Sequence, residues 1–81
     1  MRIKAKFLAR YRQLADTKEA ELEAKTGTTV AGFKGLIKEH FPQLRNLENN
    51  LVIAVNSEFA DNNQVLQEGD EVALLPPLSG G

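Results

Sequence analysis

The chain has 81 residues, of which 42% are hydrophobic and 26% charged, and a net charge of −1. That length fits one domain, burying about 60 to 65% of the surface its unfolded chain exposes, which allows a modest core but not a deep catalytic cleft as well. A near-neutral charge gives no bulk field for nucleic acid or an anionic membrane, and the lack of cysteine excludes disulfides, thiolate metal sites and a thiol nucleophile.

The N-terminus, "MRIKAKF", has no apolar h-region, so no signal peptide is expected. No apolar run approaches the roughly 18 residues that a membrane span requires. The cytoplasm is the default location.

Residues 2 to 8, "RIKAKFL", alternate with the period of a half-buried strand: Ile3, Ala5 and Phe7 on one face, Lys4 and Lys6 on the other. Residues 19 to 24, "EAELEA", alternate likewise, with Ala20, Leu22 and Ala24 opposite Glu19, Glu21 and Glu23. The two outer faces carry opposite charges, which suits antiparallel neighbours. The link "ARYRQLADTK" is long for a tight hairpin, and a short helical turn is expected around Tyr11 to Leu14.

"TGTTV" reads as a helix start, with Thr28 or Thr29 as the N-cap. Val30, Phe33, Ile37 and Phe41 fall on one helical face beside Leu36, and Pro42 ends the helix. Gly32 and Gly35 either permit close packing on a sheet or simply weaken the helix. Leu51 to Val55, "LVIAV", reads as a central strand covered on both faces. "NSEFADNNQ" is turn-rich, with a short edge strand expected near Phe59. "QEGDE" is a turn with Gly69 available for a positive φ, and "EVALL" is the last strand.

One long helix on one sheet gives an α+β domain. The expected architecture is a β-grasp, ubiquitin-like fold: a mixed sheet of about four to five strands on one main helix. By fold analogy its first and last strands lie side by side. Residues 1–75 form the domain and residues 76–81 an extended tail.

Catalytic constellations are sparse. His40 is the single histidine and reads as a surface residue in the last helical turn, suited to the helix dipole. Asp61, Glu68, Asp70 and Glu71 lack the dense fixed spacing of a calcium loop and read as solvated turn residues. Glu19, Glu21 and Glu23 have no pocket to shift their protonation. No metal site is expected, no nucleotide-binding or hydrolase motif occurs, and the basic residues do not cluster with aromatics as nucleic-acid readers do.

The tail carries the chemistry instead. Pro76 and Pro77 fix φ near −65° and favour an extended stem. The six residues from Pro76 to Gly81 reach about 20 Å at roughly 3.3 Å each. Gly80 and Gly81 lack side chains, so a partner can close around backbone alone. The α-carboxylate of Gly81 is inert as it stands. Coupled to a leaving group such as AMP, it becomes an acyl donor that a sulfur nucleophile can attack. If Val72 and Leu74 face the helix, Ala73 and Leu75 face away, and Val52 and Ala54 continue an apolar patch. Such a patch is either a partner's docking surface or is covered by the domain's own loops.

The chain resembles the MoaD/ThiS family of ubiquitin-like sulfur carriers, most specifically its MoaD branch. The resemblance covers nearly the whole length: the first strand followed by "RQL" (Arg12 to Leu14), "TV" (Thr29 and Val30), "AVN" (Ala54 to Asn56), "GDEVA" (Gly69 to Ala73) and the ending "PPLSGG". The terminal Gly-Gly identifies the group, and Pro-Pro two residues before it is more specific to the MoaD branch. Leu74-Leu75 stands where the family often has an aromatic, a departure that bears on partner contacts.

The resemblance implies a cycle. A MoeB-type adenylating enzyme uses ATP to form an acyl-adenylate on Gly81, and a sulfur donor converts it to a thiocarboxylate. The tail, Pro76, Pro77, Leu78, Ser79 and Gly80 included, then enters a MoaE-type large subunit of molybdopterin synthase. There sulfur passes to precursor Z, and the large subunit supplies the catalytic residues. On this reading the chain is not an enzyme by itself and binds no cofactor of its own. The alternatives are a carrier for another sulfur product (thiazole, cysteine), a protein modifier, and an interaction domain with an inert tail.

Overall fold

The computed structural model describes residues 1–46 and 51–77. In chain order the elements are β1 (Arg2–Phe7), α1 (Arg10–Ala15), β2 (Glu19–Glu23), α2 (Val30–His40), a 3-10 turn (Pro42–Leu44), β3 (Val52–Val55), β4 (Glu58–Phe59) and β5 (Glu71–Leu75). They form a five-stranded mixed sheet in the order β2-β1-β5-β3-β4 with one main helix, the β-grasp arrangement. The first and last strands run side by side and parallel in its middle, pairing Lys4 with Glu71 through Phe7 with Leu74. Among the described residues no helix is long and apolar enough to cross a membrane.

Strand alternation sets the core. Ile3, Ala5, Phe7, Leu22, Ile53, Val55, Val72 and Leu74 project from one face of the sheet into a single cluster with Val30, Phe33 and Ile37 of α2. The outer faces of β1 and β2 meet as their charges predict. Arg2 pairs with Glu21 and Glu23 at 3.5 and 3.3 Å, and Lys4 with Glu19 at 3.9 Å. Lys6, opposite Glu19 in register, turns instead to Glu71 of β5 at 3.4 Å.

Thr29 is the N-cap of α2, its hydroxyl accepting the Gly32 N–H at 3.2 Å. The helix stops at His40, one residue before Phe41, because Pro42 follows. The Phe41 ring still reaches the core and meets Phe7 edge-on at 5.0 Å. Gly32 and Gly35 do not serve close packing on the sheet: a Cβ at Gly35 meets nothing within 4 Å, and one at Gly32 meets only Thr28 and Thr29. Their effect on the helix is the cost in propensity.

β3 begins at Val52, one residue later than the apolar run suggests. Ile53, Ala54 and Val55 are all buried, although the strand lies next to the edge. β4, two residues long, follows it through a tight turn in which Asn56 and Ser57 both have positive φ, 51° and 72°. Two consecutive positive φ values match the right-handed twist of a hairpin, and asparagine tolerates that conformation better than most residues. Gly69 takes φ 84° in the turn before β5.

Asn56 also clips this turn to the start of β5. Its N–H donates to the Glu71 carbonyl at 2.8 Å, its side-chain Nδ2 donates to Asp70 Oδ1 at 2.9 Å, and its Oδ1 accepts the Glu71 N–H at 3.0 Å. Replacing Asn56 by alanine removes the side-chain bonds and leaves a Cβ in the left-handed region, whereas glycine removes only the bonds. Asn56→Ala is expected to destabilise by about 1–3 kcal/mol, and Asn56→Gly by less. Urea unfolding midpoints of the two variants check this order.

Candidate functional site

The site is built around the end of β5. Val72 and Leu74 are 1% and 0% exposed, while Ala73 and Leu75 point to the opposite face and are half-buried. β5 lies between β1 and β3, so its last residues are held from both sides. The Leu8 N–H donates to the Leu74 carbonyl at 3.3 Å, and Val52 pairs with Leu75. The chain passes directly from Leu75 into Pro76 and Pro77, both half-buried and outside any helix or strand. Leu78, Ser79, Gly80 and Gly81 lie outside the described residues.

The face of the sheet away from the helix is divided. In register across it run Glu19, Lys6, Ala73, Ala54 and Phe59, and a second row toward the tail holds Leu75 and Val52. The ion-paired side chains occupy β2, β1 and the start of β5. The apolar ones occupy the corner where the tail leaves.

Val52, Ala73 and Leu75 of the expected docking patch are half-buried on this open face. Ala54 belongs to the same row but is only 7% exposed. It is a single methyl between Ala73 and Phe59, so it forms floor rather than contact surface. Phe59 is the residue that sequence reasoning placed on an edge strand but did not assign to the patch. It is 77% exposed, and with Val52, Leu75 and Pro76 it lines an apolar depression of about 300 Å³ at the root of the tail. The available signal was a large aromatic within a polar, turn-rich segment, where burial has no claim on it.

The remaining candidates have structural roles. His40 is exposed, with Nδ1 3.0 Å from the Leu36 carbonyl. Asp70 accepts from Asn56 and from the Gln67 N–H, Glu68 accepts the Arg2 N–H, and Asp61 accepts the Asn63 N–H. These carboxylates shape turns. Lys34 donates to Asn62 Oδ1 at 2.7 Å, and its ammonium is held below the usual lysine range by partial burial and then by the neighbouring Lys38. Among the described residues no group of three His, Cys, Asp or Glu side chains could hold a metal ion.

Comparisons with known proteins agree with this geometry. A family model described as the ThiS family matches residues 5–81. The chain is 36% identical over 78 residues to the molybdopterin synthase sulfur carrier subunit of Drosophila erecta, covering 93% of this chain and 86% of that protein. It is 34% identical to the protein of the same name from Chlamydomonas reinhardtii, covering all of both. Among solved structures, a putative molybdopterin converting factor, subunit 1, from Pyrococcus furiosus superposes with a TM-score of 0.86 at 29% identity, covering 96% of this chain and 99% of that one. A chain from the complex of subunits 1 and 2 of molybdopterin-converting factor from Helicobacter pylori 26695 superposes with a TM-score of 0.72 at 23% identity, covering all of both. That last likeness is one of fold.

The geometry separates residues that hold the fold from residues that face outward. Leu74→Ala is expected to cost about 2–5 kcal/mol of stability. Phe59→Ser is expected to change it by no more than about 0.5 kcal/mol. Denaturant unfolding of both variants measures the contrast.

Proposed function

Because this chain belongs to the ThiS family, we propose that it is the sulfur carrier of molybdopterin synthase, acting through the α-carboxylate of Gly81. The observation that carries this reading is the near full-length identity with sulfur carrier subunits, joined to a family match that runs through Gly80 and Gly81. The position of β5 supports it. A strand paired on both sides delivers Pro76 and Pro77 at a fixed place and direction, so a partner meets a tail whose root is already positioned.

The chemistry requires two steps on one carbon. ATP and the Gly81 carboxylate give an acyl-adenylate and pyrophosphate, catalysed by a MoeB-type activating enzyme. Sulfide delivered by a sulfur donor then attacks the acyl carbon, the C–O bond to AMP breaks, AMP leaves with the electron pair, and the carbon bears a thiocarboxylate. This chain needs to hold no cofactor for either step. Its part is to present Gly81 on a thin stem while the apolar corner of the sheet docks. The thiocarboxylate then passes sulfur to precursor Z inside a MoaE-type large subunit, which supplies the catalytic side chains.

Val52, Phe59, Ala73 and Leu75 are the proposed docking surface. An aspartate at Leu75 puts a charge beside the apolar depression without disturbing Val72 or Leu74. Leu75→Asp is therefore expected to weaken binding to the large subunit in a calorimetric titration while leaving the circular dichroism spectrum unchanged; undiminished affinity would remove this surface from the account. Deleting Gly80 and Gly81 is expected to abolish molybdopterin formation in a reconstituted synthase while large-subunit binding persists. A deleted chain that still supports product formation would refute the carrier reading.

A further inference from the structure

We infer that the free edge of β2, together with the groove beside α2, is a second binding site that takes an extended peptide with alternating basic and aliphatic residues. This site does not depend on the tail chemistry.

The backbone supplies the first part. β2 is an edge strand. Met1 and Ala24 exchange both of their hydrogen bonds, and the Phe7 N–H donates to the Lys18 carbonyl. In an antiparallel pair these bonded positions alternate with unbonded ones, so the register sets Ala20, Leu22 and Ala24 toward β1. Glu19, Glu21 and Glu23 therefore aim their N–H and C=O groups outward. Thr17 Oγ1 caps the Glu19 carbonyl at 3.0 Å, which leaves Glu21 and Glu23 as the open rungs. Exposed rungs of this kind accept an added strand.

The groove supplies the second part. Between the end of β2 and the first turns of α2 lies an open concavity of about 720 Å³, bounded by Glu23, Ala24, Lys25, Gly27, Gly32 and Leu36. Gly32 leaves it open on the helix side, where a larger side chain would project. A peptide residue opposite Leu22 or Ala24 would share their face of the sheet and enter this groove. That position favours an aliphatic side chain.

Charge identifies the occupant. β1 already shows what pairs with β2: Arg2, Lys4 and Lys6 stand opposite Glu23, Glu21 and Glu19, and Ile3 and Ala5 stand opposite Leu22 and Ala20. The far side of β2 presents the same alternation. Its three carboxylates reach Arg2, Lys4 and the N-terminal ammonium of Met1, all on the β1 side, at 3.3 to 3.9 Å, while Lys6 is drawn to Glu71. A lysine or arginine opposite Glu21 or Glu23 on the added strand meets carboxylates that remain 56% and 69% exposed despite these pairs. Glu23 lies at the β1 end marked by Arg2, whereas the tail leaves beside Phe7. The two sites are thus separated by about 17 Å along the strand, and a peptide can occupy one while the other is engaged.

The test uses the whole chain, labelled with nitrogen-15, and the acetylated, amidated peptide Lys-Val-Lys-Val-Lys-Val. Titration is expected to shift the amide signals of Glu21, Glu23, Gly27 and Gly32 and to slow hydrogen exchange at Glu21 and Glu23. A peptide N-methylated at alternate residues, which cannot pair as a strand, is expected not to bind. The double variant Glu21→Gln, Glu23→Gln is expected to weaken binding by about two- to thirtyfold, the range two cross-strand charge pairs supply. Gly32→Gln, favourable to the helix, is expected to weaken it by blocking the groove. The inference is overturned if no signal shifts, if the N-methylated peptide binds equally, or if the shifts centre on Val52, Phe59 and Leu75. It is overturned too if Glu21 and Glu23 shift with protein concentration alone, which would make a second copy of the chain the occupant.

Discussion

The parallel pairing of β1 with β5 is the constraint on which the structure depends. It joins the two ends of the sequence, and the remaining strands are added to its sides. β2 pairs antiparallel with β1 across the connection that holds α1, and β3 pairs antiparallel with β5. A contact between residues so distant in sequence costs loop-closure entropy. What offsets that cost is the apolar row it assembles: Ile3, Ala5 and Phe7 beside Val72 and Leu74, all at most 1% exposed. The same pairing determines where Pro76 leaves the domain, so the core that stabilises the fold also aims the tail.

Function and stability divide along the two faces of β5. Val72 and Leu74 are committed to the core, and Ala73 and Leu75 are left for the open face. Because a strand alternates with a period of two, one short segment serves both purposes without compromise. Ion pairs follow the same division. They cover the β2 and β1 side of the open face and leave the tail corner apolar, so a partner that docks beside the tail has few charges to desolvate.

Much of this was legible in the sequence. The alternation of "RIKAKFL" and "EAELEA" gave the inner and outer faces of both strands, and their charges gave the pairing. Thr29 and Pro42 bracketed the main helix within a residue. The middle position of the last strand came from fold analogy alone, since nothing local in "EVALL" specifies its neighbours. Leu44 and Leu66, each 1% exposed, lie in a 3-10 turn and a loop, where no period marks a core position. Tyr11 is equally buried, and its hydroxyl has no hydrogen-bond partner among the described residues, which a short helix of mixed polarity did not foreshadow. Ala54 was assigned to the docking patch from its place in the alternation, but exposure also depends on the height of neighbouring side chains. Phe59 escaped assignment because its meaning lies in the cross-strand register with Ala54 and in the nearness of Pro76. The tip itself, Gly80 and Gly81, rests on sequence and family alone.

The central claim is that the carboxylate of Gly81 becomes a thiocarboxylate. The most direct measurement is an intact mass of the protein after incubation with a MoeB-type enzyme, ATP and a sulfur donor, repeated after treatment with a thiol-alkylating reagent. The chain contains no cysteine, so an alkylated species with sulfur in place of oxygen reports the C-terminal thiocarboxylate. Oxidation of Met1 changes the mass similarly but yields no alkylated product. The account predicts the alkylated species, dependent on ATP and absent when Gly81 is deleted. An unmodified chain, under conditions in which the same enzyme charges a known carrier, would contradict it.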